Sequence, residues 1–131
     1  MKIELRCVIN CICKMNFVYA ITTLPHLFVL QTPPGLFYTL IVSLSTFASF
    51  VWHLNGGESG WLMDLDYALA VVWFLTDTLM SIHTSHFENI LFWNCMIVVL
   101  HKVMTGWMHA AWHVLSALKC ILVARSLAGK I

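Results

Sequence analysis

Apolar stretches of about 20 residues, the length needed to cross the hydrocarbon core of a bilayer, recur through this chain of 131 residues between short polar breaks. Five such stretches run roughly over 12–31, 36–54, 62–82, 87–104 and 107–126. The breaks are Pro33-Pro34-Gly35, then Asn55-Gly56-Gly57-Glu58-Ser59-Gly60, then His83 to His86, and finally the tight Thr105-Gly106. Proline and glycine clusters are the strongest local punctuation, so the first two breaks are the sharpest and the last is the least marked. The pattern predicts an all-α fold, a single polytopic transmembrane helix bundle of about five helices. It has four if the first segment, which holds Lys14, Pro25 and His26, is tilted or only half inserted. Trp52, Trp61 and Trp107 fall near segment ends, where amphipathic rings favour the membrane interface.

Composition supports lipid as the solvent: 60% of residues are hydrophobic and 10% charged, with a mean hydropathy of +0.84. Seven Lys and Arg against six Asp and Glu leave a net charge of +1 and no basic run, which excludes a nucleic-acid partner. Three of the five cysteines, Cys7, Cys11 and Cys13, crowd the region before Lys14. Juxtamembrane thiols are sometimes acylated, but small apolar residues entering a membrane are the simpler reading. Lys14 interrupts the first apolar stretch and no small-residue cleavage site follows, so no cleaved signal is expected.

Five spans fix a topology by parity alone. The N-terminus, the end of the second span and the starts of the third and fifth share one membrane face. Lys2, Arg6, Lys14 and Lys102 fall on that face, against Arg125 and Lys130 on the other. The positive-inside bias therefore makes it cytoplasmic in a multi-pass protein whose organelle the sequence leaves open.

Ionisable residues are costly within a bilayer, so each one inside a span is a functional candidate. Here they converge. Ser49 and His53 end the second span, Asp64 and Asp66 open the third, and His109 and His113 open the fifth. A spacing of four stacks His109 over His113 on one helix face, close enough to share a metal ion. Alone, such a pair is more often a hydrogen-bonded interfacial pair; delivery of His53 to the same depth supplies a third nitrogen. Three protein nitrogens with a fourth position left to water is the catalytic pattern for zinc, whereas structural sites are closed by four ligands.

Ser49-Phe-Val-Trp-His53, Asp64 eleven residues after that histidine, and His109-Ala-Ala-Trp-His113 together resemble the motif set of the CREST superfamily of membrane hydrolases. That group includes the alkaline ceramidases and the Per-like enzymes that remodel lipid anchors. The resemblance implies a Zn2+ ion bound by His53, His109 and His113, with Asp64 and Ser49 as catalytic residues. It implies hydrolysis of a lipid amide or ester, with a ceramide-like or glycerolipid substrate attacked by zinc-activated water. The family's seven spans are five here, with one helix rather than three between the Asp and His-x-x-x-His spans. The alternatives are a membrane scaffold or receptor that retains a structural metal site, or a degenerate or truncated member. A haem-binding bundle or a transporter fits less well.

Asp66 competes with Asp64 for the base role, because residues two apart lie about 200° apart on a helix; the family spacing selects Asp64. His83, His86 and Glu88 read as ordinary interfacial residues at the opposite face, and so does His101 beside Lys102. His26 reads as a hydrogen-bonded polar residue. Asp77 and Lys119 lie deep in parallel spans at depths that differ by roughly 5 Å, so they are expected to reach each other, or else to be accommodated separately.

Overall fold

The computed structural model describes residues 15–31 and 34–129. Residues 12–14 of the first stretch, Pro33, Cys7, Cys11, Cys13, Lys2, Arg6 and Lys130 lie outside the described residues. All regular structure among the described residues is helical. Helix α1 covers 15–23 and runs directly into a 3-10 helix, Leu24–Gln31. Helices α2, α3, α4 and α5 are Leu36–Leu54, Trp61–Ser81, Phe87–Val103 and Trp107–Leu127, each bound within one residue of its expected place.

The first segment changes character at Pro25, which has no N–H to give the carbonyl of Ile21. Thr22 and Thr23 turn their hydroxyls back onto the carbonyls of Tyr19 and Ala20, at 2.9 and 2.7 Å. His26 Nδ1 lies 2.6 Å from the Thr23 carbonyl. Side chains thus serve carbonyls near the discontinuity while the backbone tightens into a 3-10 run that is long for its kind.

Two long-range hydrogen bonds seat the start of α1. Asn16 Nδ2 donates to the Gly56 carbonyl at 3.0 Å and Tyr19 Oη donates to the Gly106 carbonyl at 2.6 Å. The start of α1, the α2–α3 turn and the α4–α5 link therefore gather at one end of the bundle. Gly106, at φ 59°, lets the chain reverse between α4 and α5 through Met104 to Gly106 alone; a Cβ there would strain the left-handed backbone.

The interior is divided. An apolar cluster of Val29, Tyr38, Ile41, Val42, Trp73, Ile90, Cys120, Val123 and Ala124 fills the end away from that turn. Towards it the buried side chains become polar, and among the described residues fourteen buried polar or charged residues match fourteen buried apolar ones. Large apolar side chains such as Leu36, Phe47, Val71, Leu79 and Val103 face outward instead. Helices α2 and α5 are long and apolar enough to cross a membrane; α3 carries three aspartates and α4 stops at 17 residues.

Asp77 of α3 and Lys119 of α5 meet, as one of the two sequence readings expects. The Lys119 ammonium donates to Asp77 Oδ2 at 2.6 Å, with Asp77 wholly buried and Lys119 6% exposed. The ammonium also lies 4.8 Å from the centre of the Trp73 ring, whose indole N–H donates to Tyr38 Oη at 3.3 Å. Removing either partner strands a buried charge, which costs about 3–5 kcal/mol, whereas removing both is close to neutral. Asp77→Asn and Lys119→Met should each lower the unfolding temperature in detergent markedly, and the paired change Asp77→Leu with Lys119→Met should restore most of it. Additive losses in the double variant would show that the two charges are stabilised separately.

Candidate metal centre and cavity

His53 ends α2 and His109 and His113 occupy successive turns of α5, so packing of these two helices brings three imidazoles together. One ligand atom from each lies within 4.8 Å of the others, close enough to hold a metal ion. His53 Nε2 and His113 Nε2 are 3.1 Å apart. Two nitrogens at ~2.0–2.1 Å from one tetrahedral zinc ion would be about 3.3 Å apart, so this pair needs almost no adjustment and His109 a modest rotation. All three donors are imidazole nitrogens, a set that suits zinc, copper, iron or nickel and does not by itself select among them.

Each of the two buried histidines follows a tryptophan that braces it. The Trp52 ring lies 4.7 Å from His53, with its indole N–H donating to the Glu58 carbonyl at 2.8 Å. Trp112 stacks on His109 at 17° between planes and lies 5.0 Å from His113, with its N–H donating to the Ile97 carbonyl at 2.8 Å. With both indoles pinned to backbone, the imidazoles have little freedom to turn away. His53 Nδ1 is buried with no hydrogen-bond partner among the described residues and faces the α2–α3 turn at Gly57. That unpartnered N–H position is where a metal-ligating histidine normally meets an acceptor from beyond the ligand shell.

A cavity of about 490 Å³ runs inward from the histidines between α2, α3, α4 and α5. Its volume falls in the range of small-molecule sites. Val71 of α3 and Val98 of α4 stand on its rim, 58% and 51% exposed, so it opens sideways onto the apolar surface between those helices.

The structure separates the two candidate carboxylates by the face of α3 on which each lies. Asp64 is exposed in the first turn of α3 and does not line the cavity. Asp66 is 8% exposed, lines the cavity, and lies beside the Ser49 hydroxyl. The physical reason is helical phase. Asp66, Ala70, Trp73 and Asp77 form one stripe, and eleven residues bring Asp66 within about 20° of Asp77, whereas Asp64 is about 140° away. Asp64 is instead a solvated carboxylate in the first turn of α3, favoured there by the helix dipole.

His101 also departs from its reading as an ordinary interfacial residue. Its ring packs 5.7 Å from His109 and 4.8 Å from Trp112, on the cavity wall. Only the i, i+8 spacing from His101 to His109 across a helix reversal hinted at this, and spacing across a reversal carries no phase. His26 lies deeper on the same wall against Trp73, with ring centres 5.4 Å apart. His83 and Glu88 are exposed at the other end of the bundle, as expected.

Comparison with protein-family models, with curated proteins and with solved structures finds no match to this chain. The geometry predicts one transition-metal ion per chain in detergent-purified protein. Alanine at His53, His109 or His113 should deplete it, while His101→Ala retains it. Full stoichiometry in all three single variants, measured by elemental analysis, would remove the assignment.

Proposed function

We propose that this protein is a multi-pass membrane hydrolase of a lipid amide or ester, working with a zinc ion at His53, His109 and His113. The observation that carries the reading is a set of three imidazoles close enough to share a metal ion, on the wall of a cavity that a buried carboxylate and a buried hydroxyl also line. The motif resemblance to the ceramidase-like and Per-like membrane hydrolases points the same way. Membrane residence is supported by the many large apolar side chains on the outside of the bundle together with an interior that is half polar, a distribution unfavourable in water and natural in hydrocarbon. In this reading all five helical segments cross or enter the bilayer, and the histidine end faces the cytoplasm.

A zinc ion there would supply Lewis-acid polarisation of a carbonyl and a water made acidic near neutral pH. Everything else falls to the chain. Asp66 accepts the proton of the attacking water at its carboxylate. The Ser49 hydroxyl beside it orients that carboxylate or donates to the developing oxyanion. Trp52 and Trp112 hold the imidazoles in register, and the apolar rim between α3 and α4 admits a substrate that diffuses within the membrane.

Vesicle-reconstituted protein should hydrolyse a long-chain amide or ester, and chelation should abolish the activity. Asp66→Asn should lower kcat by roughly 10²–10⁴, the usual contribution of a positioned general base, while Asp64→Asn leaves it within a few fold. An equal loss in both variants, or greater loss in Asp64→Asn, would return the base role to Asp64. For topology, with the five native cysteines replaced, single cysteines at Ser59 and Thr84 should label from opposite sides of the membrane with an impermeant thiol reagent. Labelling of both from one side would contradict a spanning α3.

A further inference from the structure

The metal centre has a second side besides the cavity. Tyr19 of α1 sets its ring edge-on to both His53 and His109, with ring centres 5.5 and 5.2 Å away, yet it does not line the cavity. Being half-buried, it stands between these two ligands and the exterior of the bundle. The hold on its segment is uneven. From Ala20 onward every third residue, Ala20, Thr23, His26 and Val29, is at most 5% exposed, and the 3-10 run packs against α2 and α5. None of residues 15–19 is buried. Two exposed hydrogen bonds seat them, from Asn16 to the Gly56 carbonyl and from Tyr19 to the Gly106 carbonyl. Each acceptor residue is tied in turn to a histidine of the centre. The Gly106 carbonyl also accepts the backbone N–H of His109 at 3.0 Å, and Gly56 gives its own N–H to the His53 carbonyl at 3.1 Å.

We propose that the start of α1 is the hatch through which the metal ion reaches and leaves His53, His109 and His113, with Asn16 and Tyr19 as its latches. The other way in, along the cavity, passes the apolar rim at Val71 and Val98, where a hydrated ion would shed its water before meeting a ligand. Exposed hydrogen bonds exchange for bonds to water at small net cost, so they suit a latch that has to open. Docked, the Tyr19 ring covers His53 and His109 on the side away from the cavity. Lifted about the boundary at Ala20, it uncovers first His109, the half-buried member of the three. The assignment rests on the metal centre of the proposed hydrolase and not on the hydrolysis.

A hatch changes rates without changing affinity, because opening speeds entry and exit alike, whereas a residue that only shapes the ligands changes affinity. Co2+ stands in for zinc in the test. Its uptake by the detergent-purified full chain, and its release to excess chelator, are followed by quenching of Trp52 and Trp112, which border the imidazoles. Asn16→Ala and Tyr19→Phe should each speed both steps by roughly two- to tenfold, the worth of one hydrogen bond, with the ratio of the two rates held within about twofold. Ile90→Ala, in the apolar cluster at the far end of the bundle, loosens the fold away from the latches and should leave both rates as they are. Unchanged rates in either latch variant, an equal acceleration in Ile90→Ala, or faster release without faster uptake overturns the proposal; if one latch variant does not fold, the other decides. Bound Co2+ whose exchange ignores α1 overturns the hatch alone, and a chain that takes up no ion overturns the hatch and the metal centre together. Failure to turn over lipid amides or esters would count against the hydrolase and leave the exchange result standing.

Discussion

Lys119 and Asp77 meet in the middle of a bundle whose exterior is largely apolar, and the contact constrains the helices around it. An isolated charge there would be expensive, so α3 must turn Asp77 and α5 must turn Lys119 towards a common interior. Helices are rigid over this distance, and fixing one residue fixes the phase of the rest. On α3 the same face then carries Trp73, Ala70 and Asp66, while on α5 Ser116 lies about 60° from Lys119 and His113 about 120° away, on a helix buried over a broad face. The carboxylate beside Ser49 is thus presented inward by the geometry that keeps the deep ion pair together.

This coupling explains what was legible in the sequence. Element boundaries could be read because Gly and Pro interrupt helices for local reasons, and the bounds of α2 to α5 fell within a residue. Convergence of His53, His109 and His113 could be read because it needs only the order of reversals and one i, i+4 spacing. Choosing between Asp64 and Asp66 by burial needed the absolute phase of α3, and motif spacing selected the carboxylate that the structure leaves exposed. The marker that gives phase was Asp77, whose angular distance from each candidate follows from counting residues. His101 could not be placed in this way, because α4 carries no comparable deep charge to set its phase.

The 3-10 run after α1 shows the limit of hydropathy as a guide. Residues 12–31 are apolar enough to suggest a plain helix, yet Pro25 removes a backbone donor and the chain tightens to answer it. The tightened segment brings His26 onto the cavity wall against Trp73, so a local backbone defect contributes a polar group to the interior.

Whether three histidines staple helices or perform chemistry depends on the fourth direction around them. A structural zinc site is closed by protein on all four sides. Among the described residues a further imidazole, His101, packs beside His109 and Trp112 but is not one of those whose ligand atoms converge. What adjoins the three imidazoles instead is the cavity, with Asp66 and Ser49 on its wall and an opening between α3 and α4. A site meant only to hold α2 against α5 would gain nothing from a buried carboxylate on the wall of the adjoining cavity, since burying an acid without a cationic partner is unfavourable. In the proposed hydrolase that cost is offset because the Asp66 carboxylate exchanges a proton with what enters the cavity.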